Sequence, residues 1–348
     1  MISCILCTAR HTFSIIGLPS IHIFEPTLLS LEKQTFKDFE LIIVDALYPE
    51  RKEWIEQTKW SFPIKYVPVH ANHRFWLDHK RWNVCGQLNT ALLHCEGDLV
   101  VRIDDCSEFS PDFLQKFWDG YRSGYFPMAM HVRFLGGKPA RFDKEYMEKG
   151  YEAKYSVTLE KDERAKILHR LYGDEGLVRD TRYPIVKARG GKMIAPPDWY
   201  YGYSSFSLEA ALKVNGYNEL FDGDKSQEDQ ECGLRLTMAG YRDMFSLDVN
   251  HQVIEHEHLP IPSDVVAPNQ GNIKCNYALF LLSKNKNRWR ANSQKLADDE
   301  VEFVRQESLK PPCSPRPNFY EDDCRGILFD LWLSGQNLFD LREERLSL

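Results

Sequence analysis

The chain has 348 residues, a length that corresponds to one large domain or two average ones. Hydrophobic residues make up 43% and charged residues 27%, which is the balance of a globular protein with an ample core. The formal net charge of −7 argues against a protein that binds nucleic acid by neutralising phosphates. No apolar run reaches the ~18 residues of a transmembrane helix, and the N-terminus lacks the pattern of a signal peptide. We therefore expect a cytoplasmic protein.

The nine cysteines are odd in number and irregularly spaced, so the sequence does not indicate a disulfide framework. Cys4 and Cys7 form a CxxC pair, which is a pattern of redox or zinc sites. They lie within an apolar strand-like run, however, and no second CxxC completes a zinc site. We interpret them as buried core thiols.

Apolar runs and helical patterns alternate along the first seventy residues. The predicted order is a strand at 2–8, a helix at 26–31, a strand at 39–45, a helix at 52–58 and a strand at 64–69. This alternation predicts a parallel sheet with right-handed crossover connections.

A further buried strand is predicted from Leu99 to Ile103, and it ends in two adjacent acids, Asp104 and Asp105. Open α/β sheets bind ligands at the carboxyl ends of their strands. Two carboxylates there suit a hard divalent cation, and such a cation suits a diphosphate. An acidic turn after a strand is the alternative, since Asp is an ordinary turn residue.

The segment QTFKDFELIIVD at 34–45 resembles the opening of a family-2 glycosyltransferase of the GT-A fold. The resemblance implies that Asp45, at the end of the second strand, contacts the nucleotide base; a helix or turn cap is the alternative role. It also implies that the end of the first strand, at Thr8, Ala9 and Arg10, flanks the nucleotide.

Residues 80–98 are similar to the glycine-to-asparagine helix of that family and to the Gly-Asp turn that follows it. The resemblance places a basic residue, Arg81 or Lys80, on the diphosphate, and a guanidinium suits phosphate well. A solvated basic surface is the alternative. Asn89 is assigned to nucleotide binding on the same basis.

The acidic motif departs from the family pattern, which is Asp-any-Asp followed by a proline that starts a helix. Counting back from Pro111, Asp104 aligns with the first acid, Asp105 with the variable position and Cys106 with the second acid. A neutral thiol is a poor ligand for Mg²⁺ or Mn²⁺. Asp105 or Glu108 could replace it, or metal dependence could be weakened; we predict Asp104 and Asp105 as ligands of Mn²⁺ or Mg²⁺.

Residues 216–236 resemble the later half of the family, with a Gly-aromatic-Asn-Glu turn and a helix that begins with Glu228 and Asp229. The resemblance implies that an acid here is the general base that deprotonates the acceptor hydroxyl. We predict Asp229 as the base and Glu228 as its positioning neighbour, and the reverse assignment stays open. A helix with a favourable acidic N-terminus is the alternative.

GT-A enzymes often supply a late histidine to the metal or the diphosphate, and His256 or His258 would take that role here. We name His256 as the third metal ligand; a structural histidine is the alternative. Residues 136–189 fit the family poorly and are predicted to be a polar surface insertion that covers the acceptor side.

Beyond residue 258 the resemblance ends. A Pro-rich linker at 310–317 precedes an amphipathic helical tail, which could pack on the domain, dimerise or touch a membrane as a peripheral contact; we favour packing. We therefore divide the chain into a GT-A domain at 1–258, with a nucleotide half at 1–110 and an acceptor half at 111–258, and an extension at 259–348.

These features predict an α/β fold of the GT-A type, with a mostly parallel sheet between helices and a helical C-terminal extension. The expected function is inverting, cation-assisted transfer of a sugar from a UDP-, GDP- or dTDP-sugar to a saccharide or lipid-linked acceptor. A nucleotidyltransferase is a rival, but residues 8–13 lack the glycines of its phosphate loop. A non-catalytic nucleotide-sugar binder or scaffold is the other rival, because Cys106 departs from the motif.

Overall fold

A computed structural model of the chain describes residues 1–9, 25–134, 177–223, 227–255, 275–309 and 327–348. Two β-sheets form its centre. The strands within the described residues are β1 (Ile2–Thr8), β2 (Phe39–Asp45), β3 (Ile64–Pro68), β4 (Leu99–Asp104), β5 (Ser107–Phe109), β6 (Phe126–Phe134), β7 (Leu177–Arg179), β8 (Lys192–Ile194), β9 (Ser205–Ser207) and β10 (Phe245–Glu255).

Helices cover both faces of the sheets. Those within the same residues are α1 (Glu25–Glu32), α2 (Tyr48–Gln57), α3 (Phe75–Asp78), α4 (Val84–His94), α5 (Phe113–Arg122), α6 (Tyr183–Ala188), α7 (Leu208–Lys213), α8 (Glu228–Leu236), α9 (Cys275–Asn285), α10 (Asp298–Leu309), α11 (Ile327–Ser334) and α12 (Leu341–Leu346). The predicted fold class, a mostly parallel sheet between helices with a helical C-terminal region, is confirmed.

The first sheet has the strand order β3-β2-β1-β4-β9. Its first four strands are parallel, and β9 pairs antiparallel with β4. Both β1 and β2 have the predicted bounds, whereas α2 begins at Tyr48, ahead of the predicted residue 52. Pro49 explains the earlier start, because proline suits the first turn of a helix.

Successive side chains of β1 point to opposite faces of this sheet, and each face packs into a separate hydrophobic core. Cys4 packs on one face in a cluster with α1 and α5, whereas Ile5 packs on the other face in a cluster with α4. Cys7 lies on the same face as Ile5, so the two thiols of the CxxC pair point to opposite sides of β1. Burial raises the pKa of both thiols. This geometry agrees with core packing and not with a shared metal or disulfide.

The register of the parallel strands brings their carboxyl ends to one edge. Thr8 at the end of β1 lies opposite Asp45 at the end of β2, and Cys7 lies opposite Asp104 at the end of β4. Polar residues that are distant in sequence therefore meet at the edge where open sheets bind ligands.

The second sheet has the order β5-β10-β6-β7, and β8 pairs with β10 as well. Within the predicted surface insertion at 136–189, β7 joins this sheet, and Asp180 and Arg182 after it are buried, whereas Thr181, Lys187 and Arg189 are exposed. The insertion as a whole stays a prediction. Asp180 and Arg182 form a buried ion pair there, 2.5 Å apart. The rest of that predicted insertion lies outside the described residues.

The C-terminal helices pack onto the same core as α4. Trp332 of α11 is buried and donates an indole hydrogen bond of 2.8 Å to the carbonyl of Leu220, and Leu341 of α12 is also buried. The predicted linker at 310–317 lies outside the described residues. Among the helices of the described chain, none is long and apolar enough to cross a membrane.

Candidate active site

The two acids at the end of β4 point in different directions. The Asp104 side chain keeps 36% of its surface exposed at the edge of the sheet. Asp105 is buried, and its Oδ2 accepts a hydrogen bond of 2.8 Å from the Thr8 hydroxyl. Asp104 is therefore accessible from solvent, whereas Asp105 and Thr8 join β1 to the β4–β5 turn.

Asp229, the predicted general base, lies close to this edge of the sheet. Asp229 sits in the first turn of α8, and its Oδ1 forms an ion pair with Nη1 of Arg102 on β4. Nη2 of the same arginine lies 4.0 Å from Oδ1 of Asp104. One guanidinium thus links the predicted donor-side acid to the predicted base.

The residue before α8 has a left-handed backbone conformation. Gln227 precedes the helix with φ +74°, and the partly buried Glu228 follows it as the first helical residue. The backbone N–H of Gly202 lies 3.4 Å from Asp229 Oδ2, so the carboxylate is held from two sides. Acids in the first turn are also favoured by the helix dipole.

Arg102 was missed by reasoning from the sequence, which treated 99–103 as a purely apolar run. The signal was present, because a charged residue inside an otherwise apolar strand needs a partner when it is buried. Burial alone would lower the pKa of Arg102, but the charges of Asp104 and Glu228 together with Tyr217 and Cys7 outweigh it, so that the pKa lies above its usual value.

Asp45 lies at the predicted edge but is fully enclosed. Its carboxylate accepts hydrogen bonds from Arg51 at 2.5 Å, from the Tyr66 hydroxyl at 2.6 Å and from the Leu47 backbone at 2.7 Å. Burial raises the pKa of Asp45 despite these donors. The ring of Tyr66 stacks on Tyr48, with centroids 4.9 Å apart. An aromatic pair thus lies beside Asp45, the acid predicted to contact the nucleotide base.

The helix α4 is hydrogen-bonded to neighbouring parts of the protein both at its N-terminus, which includes Gly86, and at Asn89. Asp222 caps its N-terminus by accepting hydrogen bonds of 2.8 Å from the backbones of Cys85 and Gly86. Asn89 is buried and bonds with Tyr217 in both directions. The structure does not bring Asn89 to the edge with Asp104.

Some of the remaining residues predicted to bind the nucleotide or the metal lie within the described part of the chain, and others lie outside it. Arg81 is nearly buried in the loop before α4, next to the exposed Lys80. Ala9 lies just beyond β1 and is half-buried. Arg10 and His256 lie outside the described residues, as does His258.

A carboxylate from the second sheet approaches the position where the motif lacks its second acid. Cys106 is buried, and its sulfur lies 4.0 Å from Oε1 of Glu255 on β10. The other oxygen of Glu255 lies 3.9 Å from Nδ1 of His131, which is also 3.6 Å from Asp180. Neither Glu255 nor His131 is predicted from the sequence, because Glu255 reaches Cys106 through the pairing of β5 with β10, and His131 reaches Glu255 through the pairing of β6 with β10.

The fit to a divalent cation rests on Asp104. Within the described ranges, no group of three His, Cys, Asp or Glu side chains is arranged to hold a metal ion. Mg²⁺ is often held by one or two carboxylates together with substrate phosphates and water. The exposed carboxylate of Asp104 fits that kind of site. Because Asp105 points into the protein, Asp104 is the one acid of the motif that is placed to bind a cation.

Comparison with known proteins agrees with the resemblance in the sequence. Residues 21–180 match the family model described as Glycosyl transferase family 2, which confirms that resemblance. Similar solved structures include Staphylococcus aureus TarS 1–349 in complex with UDP-GlcNAc, which is 13% identical with a TM-score of 0.44 over 88% of this chain and 70% of that one. Another is the mannosyltransferase PcManGT from Pyrobaculum calidifontis with GDP-Man and Mn²⁺, 15% identical with a TM-score of 0.41 over 96% and 72% of the two chains. No curated protein matches the chain.

Proposed function

We propose that the chain is a glycosyltransferase that moves a sugar from a nucleotide-diphosphate sugar to an acceptor hydroxyl. The match of residues 21–180 to family 2 of these enzymes supports the reaction class. UDP- and GDP-sugars are the first donors to test, because the solved structures similar in fold were determined with UDP-GlcNAc and GDP-Man.

The observation that carries the proposal is the meeting of Asp104 and Asp229 around Arg102. Asp104 ends a strand of the parallel sheet, and Asp229 lies in the first turn of a helix, 125 positions later in the chain. A donor diphosphate beside Asp104 would therefore place its sugar near a carboxylate able to accept a proton.

The chemistry assigned to the site is a single displacement with inversion. The acceptor oxygen attacks the anomeric carbon, the bond from that carbon to the diphosphate oxygen breaks, and the nucleoside diphosphate leaves with the bonding electrons. Asp229 takes the proton of the acceptor hydroxyl, and Glu228 lies beside it at the start of α8. Holding the reactants in this geometry supplies much of the rate enhancement.

Asp104 would hold the divalent cation, Mn²⁺ or Mg²⁺. When bound, such a cation neutralises charge on the leaving diphosphate. The nucleoside would lie along the edge between Ala9 and the Tyr48–Tyr66 pair, whose geometry Asp45 fixes through its hydrogen bond to Tyr66. Base stacking on such a pair is tolerant of base identity.

A binding and turnover panel tests this function. UDP, GDP and dTDP are titrated by calorimetry with and without Mn²⁺, and release of nucleoside diphosphate from UDP-GlcNAc and GDP-Man is then measured. We expect one base to bind best, Asp104→Asn to weaken its Mn²⁺-dependent binding at least about tenfold, and Asp229→Asn to spare binding while slowing release.

The matched control is Asp299→Asn on α10, an exposed acid paired with Lys286. It should alter neither binding nor release. Binding of a nucleotide sugar without release of nucleoside diphosphate, with or without simple saccharide acceptors, would favour a non-catalytic binder. No binding of any nucleotide would contradict the proposal.

A further inference from the structure

Arg102 is the one basic residue in β4, whose sequence is LVVRID. Its side chain is only 11% exposed, and its backbone N–H donates a hydrogen bond of 2.9 Å to the carbonyl of Ser204 next to β9. The arginine therefore projects from a strand that is paired on both sides, which is a rigid support for a functional group.

The partners of its guanidinium come from two parts of the chain. Nη1 contacts Asp229 of α8, and Nη2 lies 4.0 Å from Asp104 at the end of its own strand. Other titratable groups around it include Glu228, the thiols of Cys7 and Cys232, and the phenols of Tyr200 and Tyr217. Three carboxylates therefore surround one cation, and Asp229 is the acid in direct contact with it.

We propose that Arg102 is the positioning residue of the general base, holding the Asp229 carboxylate ionised and aimed toward the edge that Asp104 marks. This inference rests on the proposed function only in naming Asp229 as the base. Arg102 itself contacts no reacting atom in this account, and it acts through Asp229.

Two physical effects give the arginine this role. A positive charge in contact with a carboxylate favours its ionised form and lowers its pKa, and only an ionised Asp229 can accept the acceptor proton. The rigid, planar guanidinium also fixes the position of its positive charge beside the carboxylate, which a lysine ammonium on a flexible stem does not do. Gly202, whose N–H faces the second oxygen of Asp229, limits rotation of the carboxylate.

The direct test is the pKa of Asp229, followed by NMR in protein labelled with ¹³C at aspartate carboxyl carbons. The Asp229 signal is identified by its loss in Asp229→Asn. We expect Arg102→Gln to raise the pKa of Asp229 by about one unit or more. The acidic limb of nucleoside diphosphate release from UDP-GlcNAc or GDP-Man should move to higher pH by the same amount.

The matched control is Arg235→Gln. Arg235 is a buried arginine on the same helix, and it pairs with Glu231 at 2.7 Å and donates hydrogen bonds to the carbonyls of Val214 and Gly216. It should lower stability without moving the pKa of Asp229. An unchanged Asp229 pKa in Arg102→Gln, or an equal shift in Arg235→Gln, would overturn the inference.

Arg102→Lys keeps the test decisive where Arg102→Gln fails to fold. The lysine retains the charge, so the pKa of Asp229 should stay near its original value, while release slows by about tenfold or more because the carboxylate is less well aimed. Unchanged release in Arg102→Lys would contradict the positioning role. A shifted Asp229 pKa combined with full release in Asp229→Asn would overturn the assigned base and leave the ion pair standing, so the two failures are distinguishable.

Discussion

The Thr8 hydroxyl donates a hydrogen bond of 2.8 Å to Asp105, and this contact turns the second of the two adjacent acids into the protein. Asp104, one residue earlier, remains at the exposed edge. The pair that the sequence presents as one acidic motif is thus split between an exposed carboxylate and a buried, structural one.

The split predicts opposite effects for the two alanine variants. Asp105→Ala leaves the buried Thr8 hydroxyl without its acceptor and should lower the free energy of unfolding by about 1–3 kcal/mol. Asp104→Ala should change stability by less than about 0.5 kcal/mol but abolish Mn²⁺-dependent nucleotide binding. Urea unfolding and calorimetry measure the two effects, and equal losses of metal-dependent binding in both variants would contradict the division of roles.

Restoring the family motif at position 106 should fail. Cys106→Asp would place a carboxylate against the Glu255 carboxylate, which lies 4.0 Å from the present sulfur, in a buried setting. Repulsion and desolvation should lower the free energy of unfolding by about 2 kcal/mol or more relative to Cys106→Ser. Urea unfolding of both variants and Mn²⁺ titration measure the outcome. A stable aspartate variant with tighter Mn²⁺ binding would refute this account.

The raised pKa of the His73 side chain predicts that the protein loses stability at alkaline pH. Burial alone would lower the pKa of His73, but hydrogen bonds to Glu219 at 2.7 Å and Glu344 at 3.0 Å raise it to about 9 from 6.5. Because the folded pKa is the higher one, this contribution is complete below pH 6.5 and is lost as the pH rises through about 9. Its upper limit is about 3 kcal/mol.

Urea unfolding between pH 6 and pH 10 measures this dependence. Glu344→Gln should flatten it, because the variant removes one of the two carboxylates that hold the proton on His73. The exposed His79 provides the control, since His79→Gln should keep the full dependence. A wild-type stability that does not fall between neutral pH and pH 9 would be inconsistent with a doubly paired imidazolium.

Arg345 of α12 should stabilise the end of α4. Its guanidinium donates to the carbonyls of Leu92, Leu93 at 3.0 Å and Cys95 at 2.7 Å, where a helix leaves acceptors unsatisfied. Arg345→Ala should lower the free energy of unfolding by about 1–3 kcal/mol and speed amide exchange at the end of α4. Arg342→Ala, an exposed neighbour on the same helix, should do neither. Matching effects in both variants would show that the contacts do not stabilise α4.

The elements of the fold were largely predictable because their patterns are local. Both β1 and β2 are mostly apolar, each with one polar residue (Ser3 and Glu40) near its start and a polar residue at its end, and their observed bounds equal the predicted ones. Asp104 is predicted from a strand end and Asp229 from the family resemblance, and the ion pairs to Arg102 bring them together.

The directions of individual side chains were not predictable in the same way. Thr8 and Asp105 are 97 positions apart, and their contact exists only because β1 and β4 pair in one particular register. The enclosure of Asp45 by Arg51 and Tyr66 depends likewise on how α2 and β3 pack beside β2. A strand end indicates where an acid lies, but the neighbouring elements decide whether it faces solvent.

The measurement that tests the central claim most directly is donor binding and turnover in Asp229→Asn, with the better-bound of UDP-GlcNAc and GDP-Man. The amide keeps the shape of the side chain but cannot accept the acceptor proton. The account predicts an unchanged Kd for the nucleotide, a folded variant whose melting temperature falls because Arg102 loses its ion-pair partner, and release of nucleoside diphosphate slower by about a hundredfold or more. Release at the wild-type rate in a folded variant would contradict it.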